Sequence, residues 1–252
     1  MRLFVLVSSA AALCWAAHAE DLTLKIPPLK STWQAGGQTI PVTAWGMLSG
    51  ASADAFRLAF TADLGGLQDH ITAVLRAELN RSDRCGERLS VDRAVLGSAE
   101  PGALLTVNLH YERWACAKVF GKEAVRRLVG GNGVVTVRVT PKTGPEGIAM
   151  ASEVQKIEAD GSLGEALRSG SMGAAVKQKI ASSIQNAIRK SLDLKAALPE
   201  RIGAAATLEN ARFTSGPQGR LWISVGAAVR LSPEEFQALA HQMQAMRAPI
   251  AH

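Results

Sequence analysis

Residues 220–231 read Arg220-Leu-Trp-Ile-Ser-Val-Gly-Ala-Ala-Val-Arg-Leu231, and this stretch decides the fold class. Leu221, Ile223, Val225, Ala227, Val229 and Leu231 fall on one side of a period of two. Trp222, Ser224, Gly226, Ala228 and Arg230 fall on the other, so a strand here has one apolar face and one wet or partly covered face. Just upstream, Gly216-Pro217-Gln218-Gly219 is a turn, because proline presets φ and glycine accepts positive φ. With Ala206–Thr214 before it, the segment forms an antiparallel pair. The same turn chemistry recurs at Pro101-Gly102 and at Gly144-Pro145-Glu146-Gly147. Val135, Val137 and Val139 precede the latter on one face, and Ile148, Met150, Ser152 and Val154 follow it. Hairpins dominate and no parallel βαβ rhythm appears, which predicts a twisted, mostly antiparallel sheet.

Two helical segments interrupt the strands. Leu67, Ile71, Val74, Leu75 and Leu79 make an apolar stripe at helical spacing. Val176, Ile180, Ile184, Ile188 and Leu192 recur every four residues until Pro199 stops the helix. A helix over 174–198 would be about 37 Å long. The expected fold class is therefore α+β, with a twisted antiparallel sheet wrapped around long amphipathic helices.

Strands near Thr39–Leu48 and Phe56–Ala62 precede the first helix, and a hairpin over 89–114 follows it. Strands 134–140 and 148–157 precede the second helix, and the hairpin 206–231 follows that. The order ββαββ thus occurs twice, over about 39–118 and 133–231, either as an internal duplication or as the ordinary alternation of an α+β chain. A last helix, 233–247, starts at Ser232 with Glu235 three positions on, a capping box. Its Phe236, Leu239, Ala240, Met243 and Met246 form a soft stripe, suited either to closing the end of the sheet or to a lid or partner.

The N-terminus reads as a secretory leader. Arg2 is its only charge, Leu3 to Leu13 are free of charge, and Ala17-His18-Ala19 is a small-x-small cleavage pattern. Residues 1–19 are expected to be removed, leaving a single domain over 20–252 in the periplasm or outside the cell. Cys85 and Cys116 then share an oxidising compartment. Their midpoint falls between Glu100 and Pro101, within the turn 98–102, so a hairpin places them across from each other at its open end. A CxxC spacing and neighbouring histidines, which a redox or metal pair needs, are both missing. We read a disulfide.

The chain of 252 residues carries 28 Lys+Arg against 22 Asp+Glu without a block of like charge. That excludes a polybasic arm and gives no basis for nucleic-acid binding, while a net charge of +6 suits an anionic surface. The histidines make no HExxH motif, and no Gly-x-Ser-x-Gly elbow is present. His110, on the hairpin face with Asn108 and Glu112, is the best lone candidate for chemistry, although an ordinary surface histidine is the reading we favour. No metal or cofactor motif appears, and we expect no enzyme.

The run Ile188 to Leu198-Pro199, followed by the pair 206–214 and 220–231, resembles the tubular lipid-binding (TULIP) superfamily, which includes bactericidal/permeability-increasing-protein-like and SMP domains. The resemblance implies an apolar seam between helix and sheet that accepts acyl chains or sterol-like lipids. Val176, Ile180, Ile184, Ile188, Leu192, Leu67, Ile71, Val225 and Val229 would either line that seam or form ordinary core. Lys177, Lys179, Arg189, Lys190 and Lys195 on the polar side of the long helix are either a solvated face or a contact with anionic membrane. Only twelve residues are aromatic (five Trp, one Tyr, six Phe), which leaves room for a guest. The expected function is an exported carrier of lipid or another hydrophobic ligand. The alternative is an envelope scaffold that binds another protein through a sheet edge and the C-terminal helix.

Overall fold

A computed structural model describes residues 23–50, 55–82, 84–120, 122–144, 147–168 and 206–247, together with Ala174, Gln178 and Ser182. In chain order the elements are β1 (Thr23–Ala35), β2 (Gln38–Gly50), β3 (Ala55–Asp63), α1 (Gly65–Leu79), β4 (Arg81–Ser82), β5 (Gly86–Ala99) and β6 (Gly102–Val119). They continue with β7 (Lys122–Gly144), β8 (Gly147–Ala159), α2 (Gly161–Arg168), β9 (Ala206–Ser215), β10 (Leu221–Arg230) and α3 (Pro233–Arg247). The strands form two five-stranded sheets, the first in the order β1-β2-β3-β10-β9 and the second in the order β4-β5-β6-β7-β8. Every pairing is antiparallel.

This corrects the expected fold class. The described chain is mostly strand, its helices are short, and no sheet wraps a long amphipathic helix. The stripe from Val176 to Leu192, the leader 1–19, and Lys177, Lys179, Arg189, Lys190 and Lys195 all lie outside the described residues. The physical reason is visible in α1. Leu67, Ile71, Val74, Leu75 and Leu79 are buried, whereas Asp69, Arg76 and Ala77 are exposed. A single stripe is satisfied by one layer on each flank, and α1 packs on β2 of one sheet and β5 of the other. The apolar faces of the two sheets, not a rod inside one sheet, supply the core. It is continuous, running from Ile40, Phe56, Phe60 and Ile223 in the first sheet to Leu105, Leu109, Val135 and Val137 in the second.

The two ββαββ runs are also wired differently. In the first sheet β3 lies inside, beside β10, while β8, its counterpart in the second run, is an outer strand.

The helix α1 closes the open side of β5 with side chains instead of a strand. Thr72 Oγ1 accepts from Ala94 N (2.9 Å) and donates to Ala94 O (3.1 Å). Asn80 Oδ1 accepts from Val91 N (2.9 Å), and Gln68 Nε2 donates to Leu96 O (3.0 Å). Arg76 donates to the carbonyls of Val91 and Asp92 where β5 slips register. Such a covered edge cannot add a foreign strand. At the base of α1, Gly66 has to be glycine, since a Cβ there would lie 2.4 Å from Pro41 O.

β9 is held to the second sheet through the β5–β6 turn. Phe213 N donates to Pro101 O (2.9 Å), and Ser215 N donates to the Glu100 carboxylate (2.7 Å). The strands of this hairpin pair from Gly86–Trp114 down to Ala99–Gly102, and Cys85 and Cys116 are joined across its open end with Cα atoms 5.7 Å apart. A bond of this kind fits an exported protein.

Candidate functional site

The outer face of the first sheet carries an open trough of about 470 Å³. Its floor is built by register. Ala59 on β3 stands opposite Met47 on β2 and Gly226 on β10, and Gly226 stands opposite Asn210 on β9. Small side chains from two neighbouring strands thus meet in the middle of the sheet, where larger ones would fill the space. One row to one side are Ser49, Arg57 and Ala228, and one row to the other are Trp45, Thr61, Ser224 and Arg212. At Glu209 the strand β9 carries an extra residue, because Gly226 pairs with Asn210 and Ala227 with Leu208. This bulge turns both Glu209 and Asn210 toward the trough. Asn210 lies over Gly226, where a Cβ would come within 2.7 Å of its Nδ2.

Arg57 and Arg212 are exposed and make no ion pair among the described residues. Two strand spacings and four residues separate them, roughly 17 Å between Cα atoms, a span that two arginine side chains cover from opposite ends. Glu209 is the one carboxylate among the residues lining the trough. At one end Trp45 and Trp222 meet edge to face, 4.9 Å apart at 82°. Trp222 Nε1 is buried with no hydrogen-bond partner among the described residues. Met47, 42% exposed, continues this apolar side.

The outer face of the second sheet is built in the opposite way. Glu112 accepts from Trp114 Nε1 (2.8 Å) and Arg127 Nη1 (3.1 Å), and Arg88 lies 4.5 Å above the Trp114 ring. These donors hold the Glu112 carboxyl below the usual carboxylate range, with the Trp114 bond foremost. His110 Nδ1 is 2.8 Å from Asn132 Oδ1, and its Nε2 is 3.5 Å from Glu112. The bond to Asn132 raises the pKa of His110 most; burial opposes it, and the hydrogen bond and charge of Glu112 then add to the rise. Both ring nitrogens of His110 are therefore occupied, and Asn108 is not among its partners. On the inner face of the same strand, burial pushes the Tyr111 phenol up to about 12, and its hydroxyl donates to Glu87 (3.3 Å).

Leu67, Ile71, Val225 and Val229 are buried in the shared core, and Val225 also contributes to the floor of the trough. The first turns of the stripe read on the last helix face inward, while the side chains of Met243 and Met246 lie outside what the structure describes. Phe236 stacks on Phe56 at 4.8 Å and Leu239 is buried, while Ser232 and Glu235 form the capping box (Ser232 N to Glu235 Oε2, 2.8 Å; Glu235 N to Ser232 Oγ, 3.2 Å). Arg57, Ala59, Asn210 and Arg212 were missed by sequence reasoning. Their only signal was the mixed outer face of residues 221–231, because the convergence comes from pairing strands far apart in the chain. Among the described residues no three His, Cys, Asp or Glu side chains gather as a metal site would require. No helix among them is long and apolar enough to cross a membrane. Compared with protein-family models, with curated proteins and with solved structures, the chain matches none.

Proposed function

We propose that this chain is an exported, periplasmic binding protein without catalysis that carries an amphiphile with an anionic head group. The observation that carries the reading is the trough on the outer face of the first sheet, with a floor of Ala59 and Gly226 between two guanidinium groups that make no ion pair among the described residues. Arg57 and Arg212 suit a carboxylate, phosphate or sulfate, since guanidinium forks donate to such groups in pairs. Ser49, Thr61, Ser224 and Asn210 add polar contacts. The apolar part of the ligand lies toward Met47 and the Trp45–Trp222 pair. A volume of about 470 Å³ is in the range of small-molecule sites. The scaffold reading is less well supported, because the β1 edge contains Pro27-Pro28 at a register slip and Phe236 and Leu239 of α3 already pack on the protein's own residues.

The test is equilibrium binding of dodecyl phosphate, dodecyl maltoside and dodecyl trimethylammonium to the purified mature protein. The anionic amphiphile should bind at least about tenfold more tightly than the other two. Ala59→Trp, which fills the floor from an exposed position, should abolish that binding without lowering Tm. Equal binding of all three, or full binding by Ala59→Trp, would falsify the assignment.

A further inference from the structure

The longest hairpin reaches beyond its own sheet. β5 pairs with β6 only as far as Trp114, and β8 pairs with β7 only from Gly133. From Ala115 to Arg126, among the described residues, β6 and β7 pair with each other alone, closing at Val119–Lys122. The result is a two-stranded ribbon whose tip stands about 14 Å beyond Cys116. The disulfide to Cys85 fastens its base, so the tip is carried on a braced stalk.

At that tip Phe120 is 101% exposed and has φ +49. A two-residue hairpin turn favours Asn or Gly at such a position, because a bulky side chain in the left-handed region is strained. Phe120 thus bears two costs in the folded protein, positive φ and full exposure of an aromatic ring, and no contact with the described residues offsets either. Strain kept at an exposed position points to a role outside the fold. Leu128, the extra residue where the ribbon slips register, is also exposed, at 53%. Lys118 and Arg126 are exposed cations, and residues 115–127 contain Lys118, Lys122, Arg126 and Arg127 against Glu123 alone.

We infer that this ribbon is a membrane-docking device, with Phe120 entering the interface of a bilayer rich in anionic phospholipid while Lys118 and Arg126 meet the head groups. The charge of the ribbon is complementary to such a surface. A protein partner would need about 800 Å² of matching surface, which a narrow two-stranded tip does not offer. A bilayer accepts one projecting aromatic ring at any point. The device lies on the second sheet and does not depend on a ligand in the trough of the first.

The experiment is co-sedimentation of the disulfide-intact mature protein at low ionic strength with vesicles of phosphatidylglycerol and phosphatidylcholine, or of phosphatidylcholine alone. Wild type should bind the anionic vesicles and leave the neutral ones. Phe120→Asn should weaken binding about tenfold while keeping Tm unchanged or higher, since asparagine tolerates positive φ. Lys118→Glu with Arg126→Glu should also release the protein. Dodecyl phosphate binding in solution should be the same in all of these variants, so failure here is separable from failure of the trough. The inference is overturned if wild type binds neither vesicle, if it binds both equally, or if Phe120→Asn binds as well as wild type.

Discussion

The two sheets are alike in strand number, direction and inner face, and differ in what they do with their outer faces. On the second sheet, Arg88, Trp114, Glu112, Arg127 and His110 are tied into one network of hydrogen bonds, ion pairs and a cation–π contact. On the first, Ala59 leaves the middle open beside the Asn210 amide that covers Gly226, and Arg57 and Arg212 border that gap without an ion pair among the described residues. A face whose polar groups satisfy one another contributes to stability. A face whose charges remain unmet is available to something else. The contrast therefore separates structural polarity from binding polarity within one molecule, and mutations on the two faces should have opposite signatures.

The largest effect belongs to the bond that braces the second sheet. Replacing Cys85 and Cys116 with serine opens a loop of 31 residues and should cost about 3–4 kcal/mol by chain entropy, read as a fall in the urea midpoint. Next comes the network itself. Glu112→Ala leaves Trp114 Nε1 and Arg127 without their acceptor and should cost about 1–2 kcal/mol. By contrast, Arg57→Ala with Arg212→Ala should change stability by less than about 0.5 kcal/mol and still remove amphiphile binding. If Glu112→Ala and the Arg57→Ala, Arg212→Ala double variant prove equally costly to stability, the distinction between the faces fails.

The smallest effect is in the pH dependence. His110 has a raised pKa in the folded protein, so its favourable contribution is complete below its ordinary value of 6.5. That contribution fades as the pH rises through the raised folded value. Its sign can be checked by comparing Tm from pH 6 to pH 9 in wild type and His110→Gln. Wild type should lose more stability with rising pH than the variant, by a small margin because the side chain is 39% exposed.

Much of the fold was legible in the sequence because its signals are local. Alternation over 221–231, the stripe from Leu67 to Leu79, the turn at Glu100–Pro101 and the Ser232–Glu235 box each depend on residues close in the chain, and each appears in the structure. The placement of Cys85 against Cys116 followed from the same hairpin arithmetic. What did not follow was the partition of the strands. Whether the apolar faces wrap a helix or meet each other depends on the β3–β10 and β6–β7 pairings, of which the first joins segments some 160 residues apart. Strand β1 was overlooked because Pro27-Pro28 interrupts its pattern, and the bulge between Ile26 and Leu29 is how the strand accommodates them. The trough was hidden for a similar reason. Ala59 and Gly226 look unremarkable singly and become a floor only when β3 lies beside β10. The ribbon was cut short at Trp114 because Ala115 to Val119 carries no clear alternation.

The most direct measurement is an amide NMR titration of the ¹⁵N-labelled, disulfide-intact protein with dodecyl phosphate. The largest shifts should cluster at Ala59, Thr61, Asn210, Ser224 and Gly226, with the outer face of the second sheet around His110 and Glu112 silent. Shifts centred on the buried inner faces at Leu67, Ile71 and Val229, or spread evenly over both sheets, would contradict a site on the exterior of the first sheet.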